Sequence, residues 1–333
     1  MTSLHGIWVP LATPMRHGEI DLAQLQRLAA RLIDDGVHGL VVCGTTGEAP
    51  QLDLAEQSAA LAAVLEVAQG AHGAHGSHQR CPVMMGIGGS DTFAAASRVL
   101  EFDDTDLAGY LVSTPAYVRP SQEGLVRHFE TIADATARPI VLYNVPARTG
   151  VNLELATAQR LAQRPQFVAI KEAGGSLQQM TDLVQQTPLS VLCGDDVLLF
   201  AALCGGAHGA ISASAHIRAD LYVQLFDLVR EQRLVEACAL AERLLPMMRL
   251  LFSEPNPAPL KAALSMQGLL RDELRLPMVP ATETCRQKLA AALEALETVP
   301  LYRPQRPAAS ATTATSAAAR TARYSLAHAT AAV

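Results

Sequence analysis

The stretch FVAIKEAGG, residues 167–175, decides how the chain is read. Phe167, Val168, Ala169 and Ile170 make a short apolar run that suits a buried strand. Lys171 follows at once, then Glu172 and, after Ala173, a glycine pair. Lysine is seldom fully buried without a partner, so an amine at the end of such a strand needs a reason. Comparable runs recur along the chain: GIWVPLATP (6–14), GLVVCG (39–44), PVMMGIG (82–88), GYLVSTP (109–115), PIVLYNVP (139–146), SVLCGDD (190–196) and HGAISASA (208–215). Helical patterns lie between them, such as DLAQLQRLAARLIDDG (21–36) and SQEGLVRHFETIADAT (121–136). Strands that are apolar on both faces belong to parallel sheets covered by helices. Eight of them, each followed by a helix, predict an α/β chain folded as a (β/α)8 TIM barrel. A doubly wound open sheet competes, but it usually has fewer strands, and no G-x-G-x-x-G stands at the first turn.

Past the eighth strand the pattern stays helical from about Ile217 to about Leu296, more helix than one barrel unit needs, and predicts a C-terminal helical appendage. The expected division is a catalytic barrel over 1–225, a helical region over 226–298 and a disordered tail over 299–333. The tail is rich in Ala, Thr, Ser and Pro, too poor in large apolar groups to offset its ordering entropy. With 333 residues, half of them apolar, 17% charged and a net charge of −6, the chain can bury a large core and has no basic field for nucleic acid. No apolar run is long enough to span a membrane, and the start, MTSLHGIWVPLATP, lacks the features of a secretion signal. The six cysteines, Cys43, Cys81, Cys193, Cys204, Cys238 and Cys285, are scattered with no C-x-x-C pair, which fits a reducing cytoplasm. GAHGAHGSHQ (70–79) sets His72, His75 and His78 at every third position, but a glycine-rich backbone fixes no ligand geometry. We read it as a loop, with no metal site expected.

In a barrel of this kind chemistry gathers at the C-terminal strand ends. Those ends carry Thr45, Thr46 and Glu48; Ser113 and Tyr117; Tyr143, Asn144 and Arg148; Lys171; Gly194, Asp195 and Asp196; and Ile211 and Ser212. Lys171 reads either as half of a rim salt bridge or as a Schiff-base nucleophile, because an apolar setting favours the free amine. Tyr143 on the preceding strand can supply the phenol that shuttles the protons of imine formation. Arg148 is either a loop arginine or a two-pronged receptor for a carboxylate. Thr45 and Thr46 either end a strand or hold a carboxylate and relay a proton. Asp195 and Asp196 are expected to cap the next helix, and Tyr117 reads as a packed loop aromatic.

Taken together, GTTGE, TPAYVRPSQEGL, LYNVPARTG, IKEA, CGDD and GAIS, in this order, resemble the dihydrodipicolinate synthase family of pyruvate-dependent class I aldolases, from about Gly6 to about Leu296. N-acetylneuraminate lyase belongs to the same superfamily. The resemblance implies a lyase in which Lys171 forms an imine with pyruvate and Tyr143 is the main proton-transfer group. Thr45 would link Tyr143 to Tyr117, which in the family reaches in from a neighbouring subunit of a dimer or dimer of dimers. Thr46 would hold the pyruvate carboxylate, Arg148 the carboxylate of an aldehyde, L-aspartate-4-semialdehyde, and backbone groups at Gly194 and Ile211 would line the pocket. The product would be 4-hydroxy-tetrahydrodipicolinate, on the lysine and diaminopimelate route, with no metal or organic cofactor.

The chain departs from the family at two places. Ala116 stands where many members have a second tyrosine at the dimer contact. Leu54, Gln57, Ser90 and Ala94 stand where lysine-inhibited members carry His, Asn and Glu. None of the four can hold an ammonium by charge, so feedback by lysine is expected to be weak or absent. Another pyruvate aldolase acting on a sugar acid or related keto acid, a phosphate-binding isomerase barrel, and a non-catalytic binding barrel are the alternatives. The last two are disfavoured by the missing phosphate cradle and by an amine set among proton carriers.

Overall fold

A computed structural model describes residues 4–70 and 80–301. His72, His75 and His78, and the tail from residue 302, lie outside the described residues. Eight parallel strands close into a barrel. They are β1 (Gly6–Pro10), β2 (Gly39–Val42), β3 (Val83–Ile87), β4 (Gly109–Ser113), β5 (Ile140–Asn144), β6 (Phe167–Glu172), β7 (Ser190–Cys193) and β8 (Gly209–Ile211). Each pairs with its sequence neighbour, and β8 closes on β1 through Gly6–Gly209 and Trp8–Ile211. Every expected strand is found at its place, shorter at its C-terminal end. The chain turns there into 3-10 or single-turn helices, at Thr45–Gly47, Pro146–Thr149, Asp196–Leu198 and Ser214–His216.

The outer ring is α1 (Leu22–Asp34), α2 (Leu54–Gly70), α3 (Thr92–Phe102), α4 (Gln122–Ala133), α5 (Leu155–Leu161), α6 (Leu177–Gln186), α7 (Leu199–Cys204) and α8 (Ala219–Arg230). Asp21, Asp91, Ser121 and Ser176 start four of these helices, each side-chain oxygen accepting from a backbone N–H three residues on. Beyond the ring come α9 (Leu234–Leu251), α10 (Ala258–Met266) and α11 (Glu283–Glu297). A short hairpin, Met15–Arg16 with Glu19–Ile20, was not foreseen from sequence. Among the described residues no helix is long and apolar enough to cross a membrane.

Side-chain alternation splits the core in two. Trp8, Val41, Met84, Leu111, Val141, Ala169, Leu192 and Ile211 fill the barrel's inside. Ile7, Val9, Leu40, Val42, Leu142 and Ile170 pack outward against the helices. The six thiols are all free, and burial pushes Cys43 up to about 12, so it stays a protonated packing group.

The seam between β1 and β8 is tied by His216, which is fully buried. Its Nε2 accepts from the Ala12 N–H at 3.1 Å, and its Nδ1 lies 2.7 Å from the Ala213 carbonyl. These two bonds require the neutral ring with the proton on Nδ1. Burial pushes the imidazole down to about 4, against the bond to Ala213. The unfolded chain takes up this proton near pH 6.5 and the folded chain only near 4, so the contribution is complete above 6.5 and is lost as pH falls between those values. The loss is on the order of 3 kcal/mol. Urea unfolding measured across that window should show the decline, and His216→Gln should lessen it, leaving the share of His128, which burial also pushes down to about 4; an unchanged slope in the variant would assign the decline to other groups.

Candidate active site

At the C-terminal ends of the strands lies a cavity of about 450 Å³. Its walls include Thr45, Thr46, Tyr143, Arg148, Lys171, Gly194 and Ile211. The register explains the central pair. Tyr143 of β5 stands opposite Lys171 of β6, and Asn144 opposite Glu172. Alternation sends Tyr143 and Lys171 inward, in phase with Val141 and Ala169, and sends Asn144 and Glu172 toward the helices. The Lys171 amine lies 4.4 Å from the centre of the Tyr143 ring, and both side chains are buried.

No described carboxylate lies within ion-pair distance of Lys171, so it is not half of a rim salt bridge. Gly194 makes room for it. A Cβ at that position would come within 2.9 Å of Lys171 Cε and 2.8 Å of Ala173 Cβ, so a side chain there would push the amine's stem aside.

Behind the pair, the outward groups form a closed polar network. Glu172, with no exposed surface, accepts from Asn144 Nδ2 at 2.9 Å, Gln179 Nε2 at 2.9 Å and Gly174 N at 2.7 Å. Burial raises its pKa, and these three donors oppose the rise. The network locks the ends of β5 and β6 together and so holds Tyr143 against Lys171.

Asp195 and Asp196 do not cap a helix, contrary to expectation. Asp195 Oδ2 accepts from Gly175 N at 2.6 Å, bridging to the turn after β6. Asp196 is buried and accepts from the Ser214 N–H at 2.7 Å and from the Ser214 hydroxyl, beyond β8. Burial raises both carboxyls; the bonds just named and the charge of Lys171 oppose the rise.

Arg148 sits exposed at the cavity wall, on the single helical turn Pro146–Thr149. Among the described residues its guanidinium meets no carboxylate. Tyr117 is not a packed aromatic: it is 91% exposed and lies outside the cavity wall. Its φ of 72° is left-handed, a conformation that costs a bulky residue energy.

Sequence reading missed what the C-terminal region brings. Phe252, Ser253, Glu254 and Asn256, from the segment between α9 and α10, complete the cavity wall. Asn256 Nδ2 donates to Thr46 Oγ1 at 3.1 Å. Lys261 of α10, fully buried, pairs with the equally buried Glu48 carboxylate. Burial lowers the Lys261 pKa, and Glu48 opposes that. Glu48 itself has a left-handed φ of 56° between two 3-10 turns. The one available signal was a lone lysine inside the apolar helix APLKAALSM.

The pair's stability effect can be tested. Lys261→Met leaves the buried Glu48 charge without its counterion, bonded still to the Arg275 N–H, and should cost about 3–5 kcal/mol. Adding Glu48→Gln removes that charge, and the double variant should recover most of the loss in urea midpoint. An equal loss in the single and double variants would show that packing, not charge, is at stake.

Comparison with known proteins identifies the family. Residues 3–296 match the model of the "Dihydrodipicolinate synthetase family". A 4-hydroxy-tetrahydrodipicolinate synthase of Geobacter metallireducens is 38% identical over 296 residues, covering 88% of this chain and 99% of the relative. One of Moorella thermoacetica is 40% identical over 291 residues, covering 86% and 97%. The solved structure of the enzyme from Methylacidiphilum fumariolicum SolV superposes with a TM-score of 0.84 at 36% identity, over 89% of this chain and 96% of that one. A dihydrodipicolinate synthase from Acinetobacter baumannii, complexed with pyruvate, gives 0.84 at 32% identity, over 89% and 100%. The chain is therefore a lyase of the dihydrodipicolinate synthetase family, folded as a TIM barrel with added C-terminal helices.

Proposed function

We propose that the chain condenses pyruvate with L-aspartate-4-semialdehyde to give 4-hydroxy-tetrahydrodipicolinate, a step of lysine and diaminopimelate biosynthesis in the cytoplasm. The observation that carries this reading is the Lys171 amine, buried with no carboxylate in ion-pair distance among the described residues and lying over the Tyr143 ring, in a cavity with Arg148 at its wall.

Lys171 Nζ attacks the keto carbon of pyruvate, and loss of water leaves an imine. Tyr143 carries protons to and from the departing oxygen, with Thr45 passing them on. Thr46 holds the pyruvate carboxylate, and backbone groups at Gly194 and Ile211 bound the pocket. The positive imine draws electrons from the methyl group, which loses a proton to become an enamine. Its carbon attacks the aldehyde carbon, and the aldehyde oxygen takes up a proton. The new substrate's amine then attacks the imine carbon, closing the ring and expelling Lys171. Arg148 meets the semialdehyde's carboxylate with paired N–H donors. Lysine is itself the electron sink, so the steps call for no metal or organic cofactor.

Tyr117 supports a homo-oligomeric enzyme. An outward ring on a strained backbone gains nothing within its own chain, and it would finish a neighbour's proton path in a dimer or dimer of dimers.

Borohydride added with pyruvate should fix a mass on Lys171, and no adduct, or one on another nitrogen, would end the reading. Arg148→Ala should keep that adduct while lowering kcat/KM for the semialdehyde about 10- to 100-fold. Normal use of the semialdehyde by this variant would favour another pyruvate aldolase of the family.

Feedback by lysine should be weak or absent. Leu54 and Ala94 carry no polar side-chain group, and Gln57 and Ser90 carry no charge to hold an ammonium. A rate assay over rising lysine checks this, and half inhibition at micromolar lysine would contradict it.

A further inference from the structure

Thr46 and Asn256 stand on segments 210 residues apart and meet at the cavity wall. Asn256 is buried, and its Oδ1 has no hydrogen-bond partner among the described residues. Among the described residues, the bond from its Nδ2 to Thr46 Oγ1 is the one hydrogen bond that its side chain makes.

A hydroxyl has one proton to give and two lone pairs to receive with. An amide NH2 only donates, so Asn256 occupies a lone pair of Thr46 and leaves the proton free. No described group accepts that proton, and Thr46 faces the cavity. Nearby, Lys261 and Glu48 fasten the same two segments a second time, two residues beyond Thr46 and five beyond Asn256.

We infer that Asn256 is a positioning residue that sets the polarity of the Thr46 hydroxyl, turning it into a donor toward a carboxylate in the cavity. The helical region after the barrel thereby takes part in capturing the keto acid. This rests on the reading that Thr46 receives the pyruvate carboxylate.

Packing and polarity make opposite forecasts for two substitutions. Aspartate has asparagine's shape but only accepts, so Asn256→Asp would draw the Thr46 proton away and set a negative charge beside the incoming carboxylate. Asn256→Ala only removes the donor. If the role were packing, the alanine would be the worse variant.

The measurement is the pyruvate concentration that gives half-maximal borohydride-trapped adduct on Lys171, beside kcat at saturating pyruvate and KM for the semialdehyde. We expect the half-saturating concentration to rise about threefold to tenfold in Asn256→Ala and more than about tenfold in Asn256→Asp, with kcat and the semialdehyde KM within about twofold. In a Thr46→Val background, where no hydroxyl is left to orient, Asn256→Ala should add nothing further. An aspartate variant equal to wild type, an alanine effect undiminished by Thr46→Val, or a loss confined to kcat would overturn the inference. If the aspartate variant does not fold, the alanine cycle alone decides. Wild-type protein that traps no adduct would sink the keto-acid reading itself, an outcome distinct from a normal adduct with indifferent Asn256 variants.

Discussion

The register that sets Tyr143 beside Lys171 governs the rest of the site. In a parallel barrel each strand offers alternate side chains to the axis, and neighbouring strands keep step. A slip of one residue in β6 would drive the Glu172 carboxylate into the barrel and bury the Lys171 amine among the helices. The outward network of Asn144, Glu172 and Gln179 closes only in the observed step, so the same bonds that satisfy buried polar groups also fix where the amine stands.

That arrangement gives the cavity a rigid floor and a looser mouth. Lys171, Tyr143 and Thr46 are buried and held from behind. Arg148 stands on an exposed turn at the cavity wall, with no described carboxylate holding it. Rigid placement suits groups that make and break bonds, because misplacement of about 1 Å costs much rate. A carboxylate receptor tolerates more freedom.

The barrel was legible because its strands are apolar on both faces and recur eight times, a pattern few folds share. Strand ends were read too long because the chain leaves the sheet inside those runs, toward the short helical turns at Asp196–Leu198 and Ser214–His216, and a run of small or apolar residues does not itself mark where pairing stops. Lys171 and Tyr143 stood out as polar groups ending apolar runs. Asp195 and Asp196 were misjudged because capping is a local rule, whereas their partners, Gly175 and Ser214, lie 20 and 18 residues away. Asn256 gave no sequence-level warning of its role, and Lys261 only that of a lone charge in an apolar helix, since their contacts span more than two hundred residues.

The buried pairing of Lys261 with Glu48 bears on anyone who would remake this scaffold. The loop after β2 is not self-supporting: its left-handed Glu48 carries a charge whose counterion arrives from beyond the eighth barrel unit. A minimal version cut after α8 would keep every strand yet strand an anion in its interior. Grafting the loop onto another barrel would therefore mean transplanting α10 along with it, and the two stretches would have to be redesigned as one piece.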